Sequence, residues 1–417
     1  MMTYTEYVGA LERGAFIMGA PRSKGIVVWA RPGLQAVKLL VERFRQLTAQ
    51  HFTPRVVERG FLMETGQYRA VFGDYANVYG LSTPLGGTNY LLRPDNLVNT
   101  VGELQDAGTA GPAIAVGGLL RDSPGKTPPL FRDRYIWPAV QLNQRVPTET
   151  AEDTLDFYQR VVEELLSSLA LPVVTVRTDP IADYGRLTYL VVSVLPNGRP
   201  TVLATLYVLS SRLKKALGDP LDIIDIGFTG KLIALCAMFH TDDRGLALPS
   251  MLAPLQLGIT VGNATDQGKL AAWLADLKGA GIRYQVSPPC SNLRDRHRWE
   301  KRWHRQGAPL AIGLDRRPGS VIFAGRLPLR RRELSGLPCP DEVRTLLSDH
   351  DQRLASSAAE LFERSLDDGG HLRTACPSCA ADLPVFGEVV PVHRGRCEFC
   401  RSAEGTSLFI SDQGRFY

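Results

Sequence analysis

Residues Gly227–Pro249 read GFTGKLIALCAMFHTDDRGLALP, and the architecture of the chain turns on how this stretch is understood. Its first five residues invite comparison with a phosphate-binding P-loop. That pattern needs a glycine six positions before the lysine and a serine or threonine directly after it. Asp225 and Leu232 occupy those places, so the P-loop reading fails and another account of Lys231 is required.

The surrounding chain is ordinary globular sequence: 417 residues, 44% hydrophobic and 22% charged, long enough for two or three domains with separate cores. A net charge of +5 is too modest to demand a nucleic-acid partner by itself. No apolar run approaches the ~20 residues that cross a bilayer. The opening MMTYTEYVGALERGAF has neither the basic region nor the apolar core of a secretion signal. The expectation is a cytoplasmic protein without a membrane partner.

Upstream of the quoted stretch, TAEDTLDFYQRVVEELLSSL places Leu155, Tyr158, Val162, Leu165, Leu166 and Leu169 on one helical stripe, with Thr150 as N-cap. LTYLVVSVLPNGRPTVLATLYVL then sets two apolar, β-branched runs around Asn197-Gly198, residues that tolerate the positive φ of a tight turn. An antiparallel hairpin follows, which argues against a purely parallel sheet. The run DSPGKTPP from Asp122 to Pro129 has the composition of an exposed loop.

Downstream, after Pro254, LQLGITVG, IRYQVS, PLAIGL and SVIFAGR read as strands alternating with helices at Asp266–Lys278 and in a basic segment, the pattern of a separate small α/β domain. From Asp341 to Leu366, Val343, Leu346, Leu347, Leu354, Ala358, Leu361 and Phe362 recur at helical spacing before the stop Gly369-Gly370. The boundaries expected are 1–253, 254–338 and 339–417.

Two clusters carry chemistry. Cys376-Pro-Ser-Cys379 and Cys397-Glu-Phe-Cys400 are two CxxC knuckles that can set four thiolates around Zn²⁺. Four sulfurs close the coordination sphere, so such a zinc is structural; the alternative is four reduced cysteines in a small core. RDRHRWEKRWHR, Arg294 to Arg305, interleaves cations with Trp299 and Trp303, a spacing that suits phosphate contacts and base stacking. The alternative is a solvated helix whose tryptophans anchor it to its own domain.

Several strings together resemble one family, the prolyl-tRNA synthetases of the archaeal and eukaryotic type, which are class II aminoacyl-tRNA synthetases. HTDDRGLALPSMLAPLQL is similar to the end of the family's motif 3, LRPDNL to its LRPTSE, VEELLSSLALPVV to its EELLAIPVV, and RWEKRWHRQGAPLAIGL to its W-K-x-x-x-W-E-x-x-G-V-P-I-R-L-E-V. The terminal GRFY also matches, so the likeness spans nearly the whole chain. It implies an α/β fold with an antiparallel-sheet catalytic domain, an α/β anticodon-binding-like domain and a C-terminal zinc-binding domain. It further implies tRNA as partner, a homodimer formed across motif 1 near Pro54, and RNA contacts by Arg294, Arg296, Arg298, Trp299, Lys301, Arg302 and Trp303.

The departures are equally informative. Arg121, Arg132 and Arg134 match the motif 2 arginines, but Ser123 stands where the first has its glutamate partner, and YIWPAVQLNQ replaces the family's glutamate and QEGH segment. The motif 3 arginine falls on Lys231, which keeps the charge but not the planar fork that grips a nucleotide. Around the amino-acid pocket, Asp95, Asn96 and Leu97 replace T-S-E, and Leu206, Tyr207 and Val208 begin the stretch that replaces S-H-H-L-G-Q. An amino acid's ammonium buried without a partner costs roughly 3 to 5 kcal/mol. Leu97 offers it nothing, so Asp95 is the candidate substitute and proline is disfavoured as substrate.

These losses favour an enzyme recruited to amide or acyl bond formation in secondary metabolism, transferring an aminoacyl group from aminoacyl-tRNA to a small-molecule acceptor. In it, Arg121, Arg132 and Arg134 form the retained cationic cluster. The alternatives are an ATP- and Mg²⁺-dependent adenylate-forming ligase in which Lys231 holds the nucleotide, and a non-catalytic tRNA-binding protein.

Overall fold

The structure is a computed structural model that describes residues 4–18, 26–73, 77–122, 129–131, 134–179, 183–242, 244–262, 267–314, 321–325, 331–334 and 336–411. Its centre is an eleven-stranded sheet. From one edge the strands run Leu372–Ala375, Glu404–Ile410, Val385–Val390, Val174–Thr178, Gly185–Val194, Pro200–Leu209, Asp222–Thr229, Tyr135–Val146, Ala113–Leu120 and Arg55–Arg59, with Arg394–Arg396 pairing Glu404–Ile410 at the side. Every pairing is antiparallel except that of Arg55–Arg59 with Ala113–Leu120.

The hairpin forms as expected. Gly198 takes φ +77° in its turn, and its strands pair from Val194↔Pro200 to Gly185↔Leu209. Because successive side chains on a strand point to opposite faces, each strand feeds two cores. Leu206 and Val208 join Leu142, Ile224 and Ile226 in the main core, under the helices Arg31–Thr48 and Ala151–Ser168. On the strand Gly185–Val194 the same alternation sends Leu190, Val192 and Val194 to a second core with Phe362, Leu366 and Phe409. That second core packs the C-terminal segment onto the sheet.

The helix predicted from Thr150 runs Ala151–Ser168 and buries Leu155, Tyr158, Val162, Leu165 and Leu166. Thr150 holds the N-cap position but is not a side-chain cap; its hydroxyl donates to the Pro147 carbonyl at 3.2 Å. The long helix Pro340–Gly369 begins instead with a complete capping box, the Cys339 amide donating to Glu342 at 2.7 Å, and ends at the left-handed Gly370.

A five-stranded sheet is ordered Tyr284–Val286, Leu257–Thr260, Leu310–Leu314, Val321–Gly325 and Arg331–Leu334. Its first three strands are parallel and the last two join antiparallel. The helices Gln267–Gly279 and Leu293–Arg305 connect the parallel strands, as a crossover requires. Trp273, Leu277 and Leu347 contribute to its core.

Candidate functional site

The strand Asp222–Thr229 carries a carboxylate in an otherwise apolar run, and the sheet register decides its surroundings. Asn143 lies directly opposite Asp225 on one neighbouring strand and Tyr207 on the other. All three therefore share the face away from the main core. Asp225 Oδ1 accepts from Gln141 Nε2 at 2.7 Å and from Asn143 Nδ2 at 2.8 Å, and Oδ2 accepts from the Tyr184 hydroxyl at 2.7 Å. Asp225 is only 4% exposed. Burial, reinforced by the nearby Asp95 charge, raises its carboxyl to about 7 despite the three donors. Burial and the same carboxylate hold the Tyr184 hydroxyl firmly protonated.

Gln141 links this group to the loop before the helix Leu97–Asp106. Its Oε1 accepts the Asn96 amide at 3.0 Å and its Nε2 reaches Asp95 Oδ1 at 3.4 Å. Asp95 also accepts the Leu97 amide at 2.6 Å, and its Oδ2 lies 3.6 Å from Arg121 Nη2. Arg121 Nε donates to the Pro94 carbonyl at 2.8 Å. The half-buried Asp95 is thus joined to Arg121 on one side and, through Gln141, to Asp225 on the other. Arg93 lies beneath, 1% exposed, donating to the Gly118 carbonyl at 2.9 Å. Burial lowers its guanidinium to about 10.

The substrate-pocket residues expected from sequence separate into two groups. Asp95, Leu97 and Tyr207 lie on the polar face: Leu97 packs with Leu209 and Ile223, with Tyr184 and Tyr207 beside them. Leu206 and Val208 do not. Both are wholly buried in the main core on the opposite side of the sheet, because strand periodicity turns the neighbours of Tyr207 away from it. Asp225, Gln141, Asn143 and Tyr184 were not anticipated. The available signal was Asp225 itself, a carboxylate amid Ile223, Ile224 and Ile226.

Of the arginines expected to form the cationic cluster, the Arg121 amide donates to the Arg134 carbonyl at 2.9 Å and the Arg134 side chain is exposed. Arg132 and Ser123 lie outside the described residues, as does Tyr417. Lys231 opens the helix Lys231–His240. Its Nζ donates to the Val202 carbonyl at 2.9 Å and to the Thr201 hydroxyl at 3.3 Å, and stands 5.6 Å from the centre of the Phe131 ring.

The basic helix Leu293–Arg305 has two faces. Trp303 is 0% exposed, donates to Gln285 at 3.1 Å and lies against Gly258, where an added Cβ would come within 2.1 Å of its ring. Arg296 is also buried, with Nη2 donating to the Leu314 carbonyl at 2.5 Å. These two residues anchor the helix, and Trp303 has no face for a nucleobase. Arg294, Arg298, Lys301 and Arg302 are exposed, and Arg302 sits 4.9 Å over the half-buried Trp299 ring.

The sulfurs of Cys376, Cys379, Cys397 and Cys400 lie within 4.8 Å of one another, with Cys376 and Cys400 3.9 Å apart. Sulfurs at about 2.3 Å from a tetrahedral ion stand about 3.8 Å apart, so the donor set fits one. Among the described residues no helix is long and apolar enough to cross a membrane.

No family model matches the chain. It is 25% identical to the proline–tRNA ligase of Methanopyrus kandleri, over 93% of this chain and 85% of that protein. It is 26% identical to that of Symbiobacterium thermophilum, over 56% of this chain and 52% of that one. Giardia lamblia prolyl-tRNA synthetase in complex with prolyl-adenylate superimposes with a TM-score of 0.79 at 14% identity, covering 98% of this chain and 97% of the other. Cryptosporidium parvum prolyl-tRNA synthetase complexed with L-proline and AMP gives 0.78 at 17% identity, covering 99% and 94%. The sheet and its flanking helices define a class II aminoacyl-tRNA synthetase fold. Within that class the chain's likeness is to the prolyl-tRNA synthetases.

Proposed function

We propose that this protein transfers an aminoacyl group from aminoacyl-tRNA to a small-molecule acceptor. The observation that carries the reading is Lys231. In the place of a nucleotide-gripping arginine stands an ammonium that donates to Val202 and Thr201, without a fork to stack on a base. An aminoacyl ester is already activated. Attack on its carbonyl by an acceptor amine forms the amide and releases the ribose hydroxyl, so the enzyme must position the groups and stabilise an oxyanion. Arg121 and Arg134, with Arg132, are assigned to that stabilisation, and Asp95 to the aminoacyl ammonium. Zn²⁺ at the four cysteines is structural, the catalytic unit is a homodimer, and domains divide at 253/254 and 338/339.

A second reading, an ATP- and Mg²⁺-dependent ligase with Lys231 on the nucleotide, draws support from the likeness to proteins named proline–tRNA ligases over 93% of the chain. Amino-acid-dependent ATP–pyrophosphate exchange across all twenty amino acids, run beside binding of charged and uncharged tRNA, separates the two. Absence of exchange with retained affinity for charged tRNA is expected. Exchange with any amino acid would replace the transferase reading with the ligase.

A further inference from the structure

The helices Tyr4–Arg13 and Leu293–Arg305 both end at one cleft, where an added Cβ on Gly14 would lie 3.1 Å from the Arg305 carbonyl. A cavity of about 450 Å³ opens there, lined by Arg13, Arg298, Lys301, Arg302, Arg305 and Gln306. Among the described residues, five of the six that line it are cations and none is an acid.

Neutralisation of the two helix C-termini does not account for this charge. Each terminus carries about half a negative charge, so the pair offsets about one of the five cations. Nor do ion pairs absorb the remainder: Arg298 approaches Asp295 at 3.9 Å, while Arg13, Lys301 and Arg305 have no ion pair among the described residues. Arg302 is held over Trp299, which fixes its guanidinium. Among the described residues no aromatic ring lines the cavity, so what they offer is phosphate contacts rather than a stacking surface for a base.

We infer that this cleft is a binding site for closely spaced phosphates, formed jointly by the first helix and the basic helix. The phosphates come from an RNA backbone or from a free oligophosphate. Arg13 lies far outside the basic run Arg294–Arg305, and Arg305 ends that run without being among the residues the resemblance assigns to RNA. The site is independent of the reaction proposed above, and aminoacyl transfer is assayed separately.

The test compares wild type, the triple variant Arg13→Gln/Lys301→Gln/Arg305→Gln and the control Lys278→Gln, all confirmed folded by circular dichroism and melting temperature. Binding of labelled tRNA transcript is measured across salt concentration, and tripolyphosphate is titrated with melting temperature as readout. Each phosphate contact contributes about 0.7 to 0.9 to the slope of log affinity against log salt. An RNA site predicts that the triple variant loses about 2 to 3 of that slope while the control loses none. An oligophosphate site predicts a melting-temperature rise with tripolyphosphate that the triple variant abolishes, the RNA slope being unchanged. If neither response differs between wild type and the triple variant, the inference is overturned.

Discussion

Lys231 Nζ lies 2.9 Å from the carbonyl oxygen of Val202, so the charge that opens the helix Lys231–His240 is bonded to the start of a neighbouring strand. A charged hydrogen bond of this kind contributes about 1.5 to 3 kcal/mol. Lys231→Met is expected to lower the unfolding free energy by about that amount, read from urea midpoints at constant slope. A loss below about 0.5 kcal/mol would mean the bond is not maintained in solution.

The buried carboxyl of Asp225 links stability to pH. Its folded value, about 7, lies above its unfolded value near 3.8. Its contribution is therefore full at low pH and is lost as pH rises from about 4 through about 7. His240 works in the opposite sense: burial lowers it to about 4, so its contribution falls away on acidification below about 6.5. Comparing Asp225→Asn with wild type cancels the histidine. The variant's melting temperature relative to wild type is expected to climb between pH 4 and 7; a flat difference would show that Asp225 titrates normally.

Tyr184 donates to Asp225 at 2.7 Å from a position packed against Tyr207. Tyr184→Phe keeps the ring and removes one of three donors to the buried carboxylate. A cost of about 1 to 3 kcal/mol is expected at pH 8, shrinking as the carboxyl gains a proton near pH 5. Equal costs at both pH values would detach Tyr184 from the charge on Asp225.

Trp303→Ala empties a wholly buried site against Gly258. Loss of a buried aromatic costs about 3 to 5 kcal/mol. The expected result is local: amide exchange accelerates in Leu293–Arg305 and the five-stranded sheet, while the strand Asp222–Thr229 stays protected. Uniform acceleration through both sheets would show that they unfold as one unit.

The four cysteines lie by the edge of the central sheet, where Leu372–Ala375 pairs Glu404–Ile410. Purified protein is expected to carry about one zinc per chain. Cys376→Ser with Cys400→Ser is expected to remove it and lower the melting temperature by several degrees. Metal-free protein with an unchanged melting point on chelation would assign the cluster to a reduced thiol core.

Much of the architecture follows from local chemistry. The stripe in Ala151–Ser168, the Asn197-Gly198 turn and the alternation after Pro254 need only periodicity and backbone preference. The paired CxxC spacing implies that four sulfurs meet, as they do. Thr150 shows the limit: a residue of the right type at the right place bonds to Pro147 and leaves the helix uncapped.

The amino-acid sequence by itself determined the class II framework and the paired CxxC spacing of the cysteine cluster. Tertiary structure alone decided which residues face one another. Register set Asn143, Asp225 and Tyr207 in a row across three strands, and pleating turned Leu206 and Val208 into the opposite core. Close approach to Gly258 committed Trp303 to the interior. The convergence of two distant helix ends joined Arg13 to Arg305. Each of these depends on partners far away in the chain, because a strand's pattern distinguishes its two faces but not what the sheet lays against either one.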